Sequence, residues 1–397
     1  MILRDVIEDT VRAWHRYELD HGRTAIIDYD CDPPALDTPP AASRLGVQRS
    51  LAELLQAAHG SADDLLAAGI DAHLTYLQAL MGERLPLDEY VLRTQGCAAA
   101  GWPSDHVEAV GQRAQAHLAE LGVGWGANTE RDLEDSEGRL EPAAAPDAIR
   151  SAAAELEPAV RQATGSNAPY ELTIETTDVD AYWSYWLDGS GRHVRLRLNL
   201  RRARFTKIRA RQFALHEVLG HGLQSASFAQ RCAKEDVPWP RLLSVHAPQQ
   251  VLLEGLAQAL PLFVTPDDPA LTTRVRLDHY LQLVRAELHV AINAGTGITE
   301  CAEHARRRVP FWTDTQIGDL LADRSVSPQL RSYLWAYPAG LDWFAALAEG
   351  DVRVGAEVLN AAYRAPLTPN ELHALWPAGP PIGGPGGSVR LRQPPVP

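Results

Sequence analysis

Apolar positions recur at three- and four-residue intervals in SLAELLQAAHG, DDLLAAGIDAHLTYLQALMG and HVEAVGQRAQAHLAELGV, which predicts helices separated by loops over residues 1 to about 125. A proline-rich loop at Asp32 to Pro40 and a polar, acidic stretch at Asn128 to Pro146 interrupt this pattern, and the second is the expected domain boundary. A further helix is predicted over 147–163. The period then changes. YELTIET is β-branched or alternating, and HVRLRLNL, after the turn-forming Asp188, Gly189, Ser190 and Gly191, alternates apolar and basic side chains. Val194, Leu196 and Leu198 fall on one face of that strand, Arg195 and Arg197 on the other, as expected for an edge strand with one buried face.

Beyond the strand, helical spacing returns over about 203–225, 249–263, 271–294, 299–307, 313–322, 327–348 and 368–375, and no later strand is expected. Thr313 with Gln316 and Thr368 with Glu371 match reciprocal capping boxes, and Pro328 and Pro369 suit first helical positions. The segment from Pro377 to Pro397 is rich in proline and glycine and is expected to be disordered. The predicted organisation is an N-terminal helical lobe (1–127), a catalytic domain (147–376) and a tail (377–397). The fold class is mainly α with a small antiparallel β-sheet.

Composition narrows the function classes. The chain has 397 residues, 45% of them hydrophobic, enough for a large core. Its 37 basic and 51 acidic side chains leave it acidic, which argues against a nucleic acid partner. The four cysteines, Cys31, Cys97, Cys232 and Cys301, form no CxxC pair, so neither a disulfide framework nor a thiolate metal site is expected. No stretch has the apolar length of a signal peptide or a membrane span, and a cytoplasmic, membrane-free protein is the expectation.

The candidate chemistry lies in FALHEVLGHGLQ, where Glu217 follows His216 and His221 stands five residues after His216. Histidines four apart lie about 40° apart around an ideal helix and can share one metal, whereas five apart lie about 140° apart. Joint coordination therefore requires an extra residue absorbed as a π-bulge or local unwinding, which Gly220 permits. A catalytic zinc needs a third protein ligand and an open position. Glu254, within the apolar helical run VLLEGLAQALPLF, is the candidate, because an unpaired buried carboxylate there would be costly and a dication would remove the cost. Glu217 would then act as base on water activated by the metal, and later protonate a leaving amine.

HEVLGHG resembles the HELLGHG motif of the dipeptidyl peptidase III family, zinc peptidases in which two histidines and a downstream glutamate hold the metal. The resemblance implies those roles for His216, His221 and Glu217. That family carries an acidic residue four positions after its downstream glutamate. Here Gln258 takes that place, and its amide is expected to accept an imidazole N–H in the second shell. The succession GHGLQ, EGLA, RAELHVAINAGTGIT and SYLWAYPAG, over roughly residues 190–345, is similar to the bacterial domain-of-unknown-function family 885 (DUF885), regarded as zinc hydrolases of the gluzincin kind. Where that family has Pro-Gly before the histidine, EGWA and PGQA, this chain has Leu-Gly, EGLA and PAG. These resemblances imply a gluzincin-like helical fold and one Zn2+ per chain.

An oxyanion donor is expected from a later helix, with Tyr337 the first choice, Tyr333 one turn earlier as a competitor that could instead touch substrate, and His289 as a further option. Arg285, His289 and Asn293 form a polar stripe that could line a cleft, Arg285 as a substrate contact. If the strand HVRLRLNL pairs with substrate, Asn199 is the expected contact. His246 and the cluster Tyr182, Trp183, Tyr185 and Trp186 are possible border residues. The expected function is zinc-dependent hydrolysis of amide or peptide bonds, with short peptides as substrate. Two alternatives are a metal-dependent small-molecule biosynthetic enzyme and a non-catalytic binding protein on a peptidase scaffold.

Overall fold

The computed structural model describes residues 2–36, 38–60, 63–180 and 184–387, so Tyr182 and Trp183 lie outside the described residues. The N-terminal part forms α1 (Leu3–Asp20), a short strand β1 (Tyr29–Asp30), α2 (Arg44–Gly60), α3 (Asp64–Leu80), α4 (Leu87–Gln95), α5 (Ser104–Glu120), α6 (Thr129–Glu137) and α7 (Ala145–Thr164). Three strands follow: β2 (Glu171–Thr177), β3 (Tyr185–Ser190) and β4 (His193–Asn199). Next come α8 (Lys207–Phe213), a π-helix (Ala214–Gly222), α9 (Leu223–Cys232) and β5 (Leu242–Leu243). The C-terminal part is helical: α10 (Gln250–Val264), α11 (Pro269–Asn293), α12 (Ile298–Arg308), α13 (Asp314–Ser325), α14 (Pro328–Tyr333), α15 (Ala336–Ala348), α16 (Val352–Ala362) and α17 (Pro369–Leu375).

The mainly helical fold with a small sheet is as expected, but the sheet is mixed rather than antiparallel. Its order is β2-β4-β3-β1-β5. The β3–β4 hairpin is antiparallel, turning at Gly191, whose φ of 56° suits glycine, while β2 runs parallel to β4 and β1 parallel to β3. Strand β4 is therefore interior, paired on both sides, and has no free edge for a substrate backbone. Its alternation is as predicted: Val194, Leu196 and Leu198 are buried, while Arg195 and Arg197 both bond Asp188 of β3 on the outer face. Two further expectations fail. Strand β5 lies after the His216–His221 segment, and α16, with Asp351 capping Arg353 N–H, forms where no helix was predicted.

Local signals account for several boundaries. Both capping boxes are present, with Gln316 N to Thr313 Oγ1 at 3.2 Å and Thr368 N to Glu371 Oε2 at 2.8 Å. The predicted helix 327–348 is broken between Tyr333 and Ala336. Pro338 explains the break: inside a continuous helix its ring would clash with the carbonyl four residues back and remove a hydrogen bond, whereas in the first turn of α15 its missing N–H costs nothing. The start of the expected disordered tail, residues 377–387, is held in place. Gly101 N–H donates to Gly383 O and Gly386 N–H to Gly101 O, and the left-handed Gly383 and Gly384 allow close approach to the 98–101 backbone.

One core cluster joins residues of α4–α6 to α11, α13 and α15. A second packs α7, the inner sheet face, the π-helix, α10, α15 and α16, and a third unites α1–α3. Helices α10 and α15 cross at Gly255 and Gly340, whose backbones touch so closely that a Cβ on either would run into the other. This crossing fixes Glu254 against the first turns of α15. Gly255→Ala is expected to cost about 1–3 kcal/mol through overpacking, measured as a lower urea midpoint. An unchanged midpoint would show that the two helices can separate freely.

Among the described residues no helix is long and apolar enough to cross a membrane. His246, one of the predicted border residues, instead joins the N-terminal helices to the rest. It accepts or donates a 2.9 Å bond with His73 Nδ1 and stacks on Tyr76 at 4.2 Å. Burial drives both rings below the usual histidine range, His73 to about 4. Unfolded, both would protonate near pH 6.5, so the unfolded state binds more protons and stability falls as pH drops below that value. The expected slope is about 1.4 kcal/mol per pH unit for each ring. His246→Gln should give a shallower acid limb in denaturant titrations between pH 6.5 and 4, and equal slopes would exclude this linkage.

Candidate metal centre

The spacing of His216 and His221 required an irregular helix, and residues Ala214–Gly222 form a π-helix. Its wider turn returns the fifth residue to the same side, so the two rings meet edge to face with Nε2 atoms 3.1 Å apart. Gly220 sits where a Cβ would come within 2.8 Å of Ala257 Cβ, which brings the π-helix onto α10. There Glu254 Oε2 lies 3.4 Å from His216 Nε2 and 3.6 Å from His221 Nε2.

These three donors suit a metal ion. Ligands at about 2.0–2.2 Å from a tetrahedral zinc are about 3.4 Å apart, which matches the three separations. Glu254 Oε2 is buried and has no hydrogen-bond donor. The other oxygen, Oε1, accepts from the Tyr333 hydroxyl, and that hydroxyl lies 2.6 Å from Tyr337 Oη. Burial opposes ionisation of Glu254, but His221 and His216 outweigh it and hold the carboxyl well below its usual range. Burial likewise opposes charge on His221, yet Glu254 raises it. Glu217 differs: burial pushes its carboxyl upward, with His216 and His221 opposing. Its Oε1 stands 3.6 Å from His216 Nε2.

The centre opens on a cleft of about 410 Å³, bordered by Tyr185, Phe213, His216, Glu217, Gln258 and Tyr337. Tyr185, at the start of β3, packs edge-on to Phe213 at 4.8 Å. Burial, then Glu254, keeps the Tyr337 hydroxyl protonated far above the usual tyrosine range. Tyr337 borders the same cleft as His216 and Glu217. Tyr333 does not face the cleft as a substrate contact but holds Glu254.

Other predicted site residues lie elsewhere. Asn199 is fully buried and bonds the Val179 backbone in both directions, fixing the loop before β3. His289 is 1% exposed and packs against Trp335 at 5.6 Å, because the face of α11 that carries it turns toward α14 rather than the cleft. Gln258 borders the cleft, but its Oε1 accepts no imidazole N–H or any other donor. Arg285 lies over the Trp312 ring at 5.4 Å. Two features had no sequence signal. Arg209 and Glu130, from α8 and α6, join the cleft wall. Asp28, just before β1, has an unpartnered Oδ2 and a carboxyl pushed up to about 8 by burial, with Asp188 and Glu254 adding and His221 opposing.

A second histidine–carboxylate group unites His106, His279 and Asp342. Both Nε2 atoms bond the same Asp342 Oδ1, at 2.9 and 2.8 Å, while Oδ2 accepts from Trp102 Nε1 at 2.8 Å. These are hydrogen-bond lengths to one acceptor, and the group ties α5, α11 and α15 together.

No protein-family model and no curated protein matches the chain. Among solved structures, a protein of Colwellia psychrerythraea provisionally described as a lipoprotein superposes with a TM-score of 0.54 at 15% identity, over 83% of this chain and 61% of that one. The chain thus spans less than two thirds of that protein, and the similarity is one of fold. An M32 carboxypeptidase from Deinococcus radiodurans overlaps with a TM-score of 0.36 at 15% identity, over 96% of this chain and 77% of that one, too loosely to bear on fold or function.

Proposed function

We propose that the chain is a metal-dependent hydrolase of amide or peptide bonds, with His216, His221 and Glu254 holding a zinc ion and Glu217 as general base. The observation that carries this is the π-helix, which turns a spacing unfit for joint coordination into two Nε2 atoms facing one buried, donor-free carboxylate oxygen. When bound there, a zinc ion supplies Lewis-acid polarisation of a carbonyl and acidifies water.

The chain's own groups complete the chemistry. Glu217 has a raised carboxyl that borders the cleft and is placed to take a proton from attacking water and return it to the leaving nitrogen. Tyr337, kept protonated, donates to the oxyanion that develops on the carbonyl oxygen. Tyr333 fixes Glu254 through its hydroxyl, an outer partner for the carboxylate ligand, whereas the partner expected at Gln258 was for a histidine. Short peptides are the substrate class that the resemblance suggests.

Elemental analysis of the purified protein, followed by a peptide-library screen, tests the proposal. About one zinc per chain is expected, with cleavage abolished by chelation and restored by zinc. Iron in its place would favour the small-molecule alternative, and no metal even after zinc addition would overturn the assignment.

A further inference from the structure

The large rings of the cores are enclosed: Phe228 and Phe344 are fully buried, as are Trp335 and Trp343. The wall of the metal cleft departs from this. Tyr185 is 46% exposed, and Phe205 and Phe213 are only half-buried. All three border the cavity of about 410 Å³ that also takes in His216, Glu217 and Tyr337.

The three rings form one surface. Phe213 meets Tyr185 edge-on at 4.8 Å between centroids, with the planes at 79°, and meets Phe205 at 5.1 Å and 74°. Each ring hangs from a held backbone. Tyr185 is paired with Leu198 across β3 and β4, the Phe205 carbonyl accepts from Leu140 N–H at 3.0 Å, and Phe213 ends α8, just before the π-helix that carries His216. Phe205 and Phe213 also rest on the core cluster that includes the π-helix. The wall is therefore in place before any ligand arrives, at a fixed offset from a metal ligand.

The charges around the cleft are already matched. Arg209 Nη2 lies 3.5 Å from Glu130 Oε1, Gln212 Nε2 donates to Asp278 Oδ2 at 2.7 Å, Arg202 bonds Asp180 at 3.1 Å, and Arg139 faces Glu134 at 3.5 Å. Arg204, also on the rim, is exposed and solvated. What stays unmatched is apolar ring surface beside the metal centre, which a further ring can join edge to face. Ligand pockets combine such an apolar wall with a few polar groups that fix orientation.

We propose that Tyr185, Phe205 and Phe213 form the side-chain subsite of this cleft, and that the substrate is an amide or peptide with an aromatic side chain next to the scissile bond. The word substrate rests on the hydrolase reading, but binding of the ring does not.

NMR titration of the full-length protein with the N-acetyl amides of phenylalanine, leucine, alanine and glutamate tests the subsite. The phenylalanine compound is expected to bind about 10-fold or more tightly than the alanine compound, with leucine between them. Tyr185→Ala and Phe213→Leu should each cut that preference by about 2–10-fold, the worth of one ring contact. Tyr185 stands at the surface and leucine keeps most of the Phe213 packing, so the melting temperature should change little in either variant. Equal binding of the phenylalanine and leucine compounds, tightest binding of the glutamate compound, or a preference that survives both substitutions overturns the proposal, whether or not the protein holds zinc. A ring preference in a protein that takes no zinc would support the subsite and sink only the hydrolase. In the zinc-loaded protein, kcat/KM should rise about 10–200-fold when phenylalanine replaces alanine on one flank of the cleaved bond, and no rise on either flank overturns the assignment.

Discussion

Glu217→Gln is expected to lower turnover of a cleaved peptide by about 10²–10⁴-fold while leaving zinc content unchanged. The amide keeps the size of Glu217 but cannot accept the proton that the attacking water must lose. Glu217 is not one of the three converging donors, because its Oε1 lies beside His216 rather than facing Glu254. The substitution therefore separates chemistry from metal retention. Single-turnover kinetics and elemental analysis on the same sample decide the matter. Full turnover with full zinc would remove Glu217 from the mechanism, and loss of both would make it a ligand instead.

The second large effect is on metal affinity. Glu254→Ala should leave purified protein essentially without zinc, since it removes the only carboxylate facing both imidazoles among the described residues. Tyr333→Phe is the graded counterpart. It deletes the hydroxyl that bonds Glu254 Oε1 and so leaves the ligand set intact but free to swing. A loss of about 10–100-fold in zinc affinity is expected, as for other outer-shell partners, measured by competition with a chelator. If Tyr333→Phe binds zinc as tightly as the unaltered chain, Tyr333 serves Tyr337 rather than the metal.

Much of the candidate site was legible because its signals are local. His216, Glu217 and His221 lie within six residues on one element, and the five-residue spacing of the histidines itself demanded a departure from α-helix, which is present as a π-helix. Glu254 stood out as an acid in an apolar helix, and Tyr337 as a hydroxyl just before Pro338 in SYLWAYPAG. The stripe Arg285, His289, Asn293 was visible as a stripe, yet spacing along α11 does not tell which neighbour it faces. It faces α13 and α14, where Asn293 bonds Arg324 O and Arg331, and not the cleft. Asn199 was misplaced for a related reason: the order of strand and helix suggested an edge, whereas β2 and β3 cover β4 on both sides.

The chain by itself determined its helices, their caps, the alternation of β4 and the need for an irregular turn between two histidines, because each depends on residues within a few positions of one another. Tertiary structure alone decided the mixed strand order, the close crossing of Gly255 and Gly340, the bond from Tyr333 to Glu254, the tie among His106, His279 and Asp342, and the packing of His289 on Trp335. These depend on the angle and register at which helices pack. Packing satisfies many side chains at once and leaves no periodic trace in any one segment.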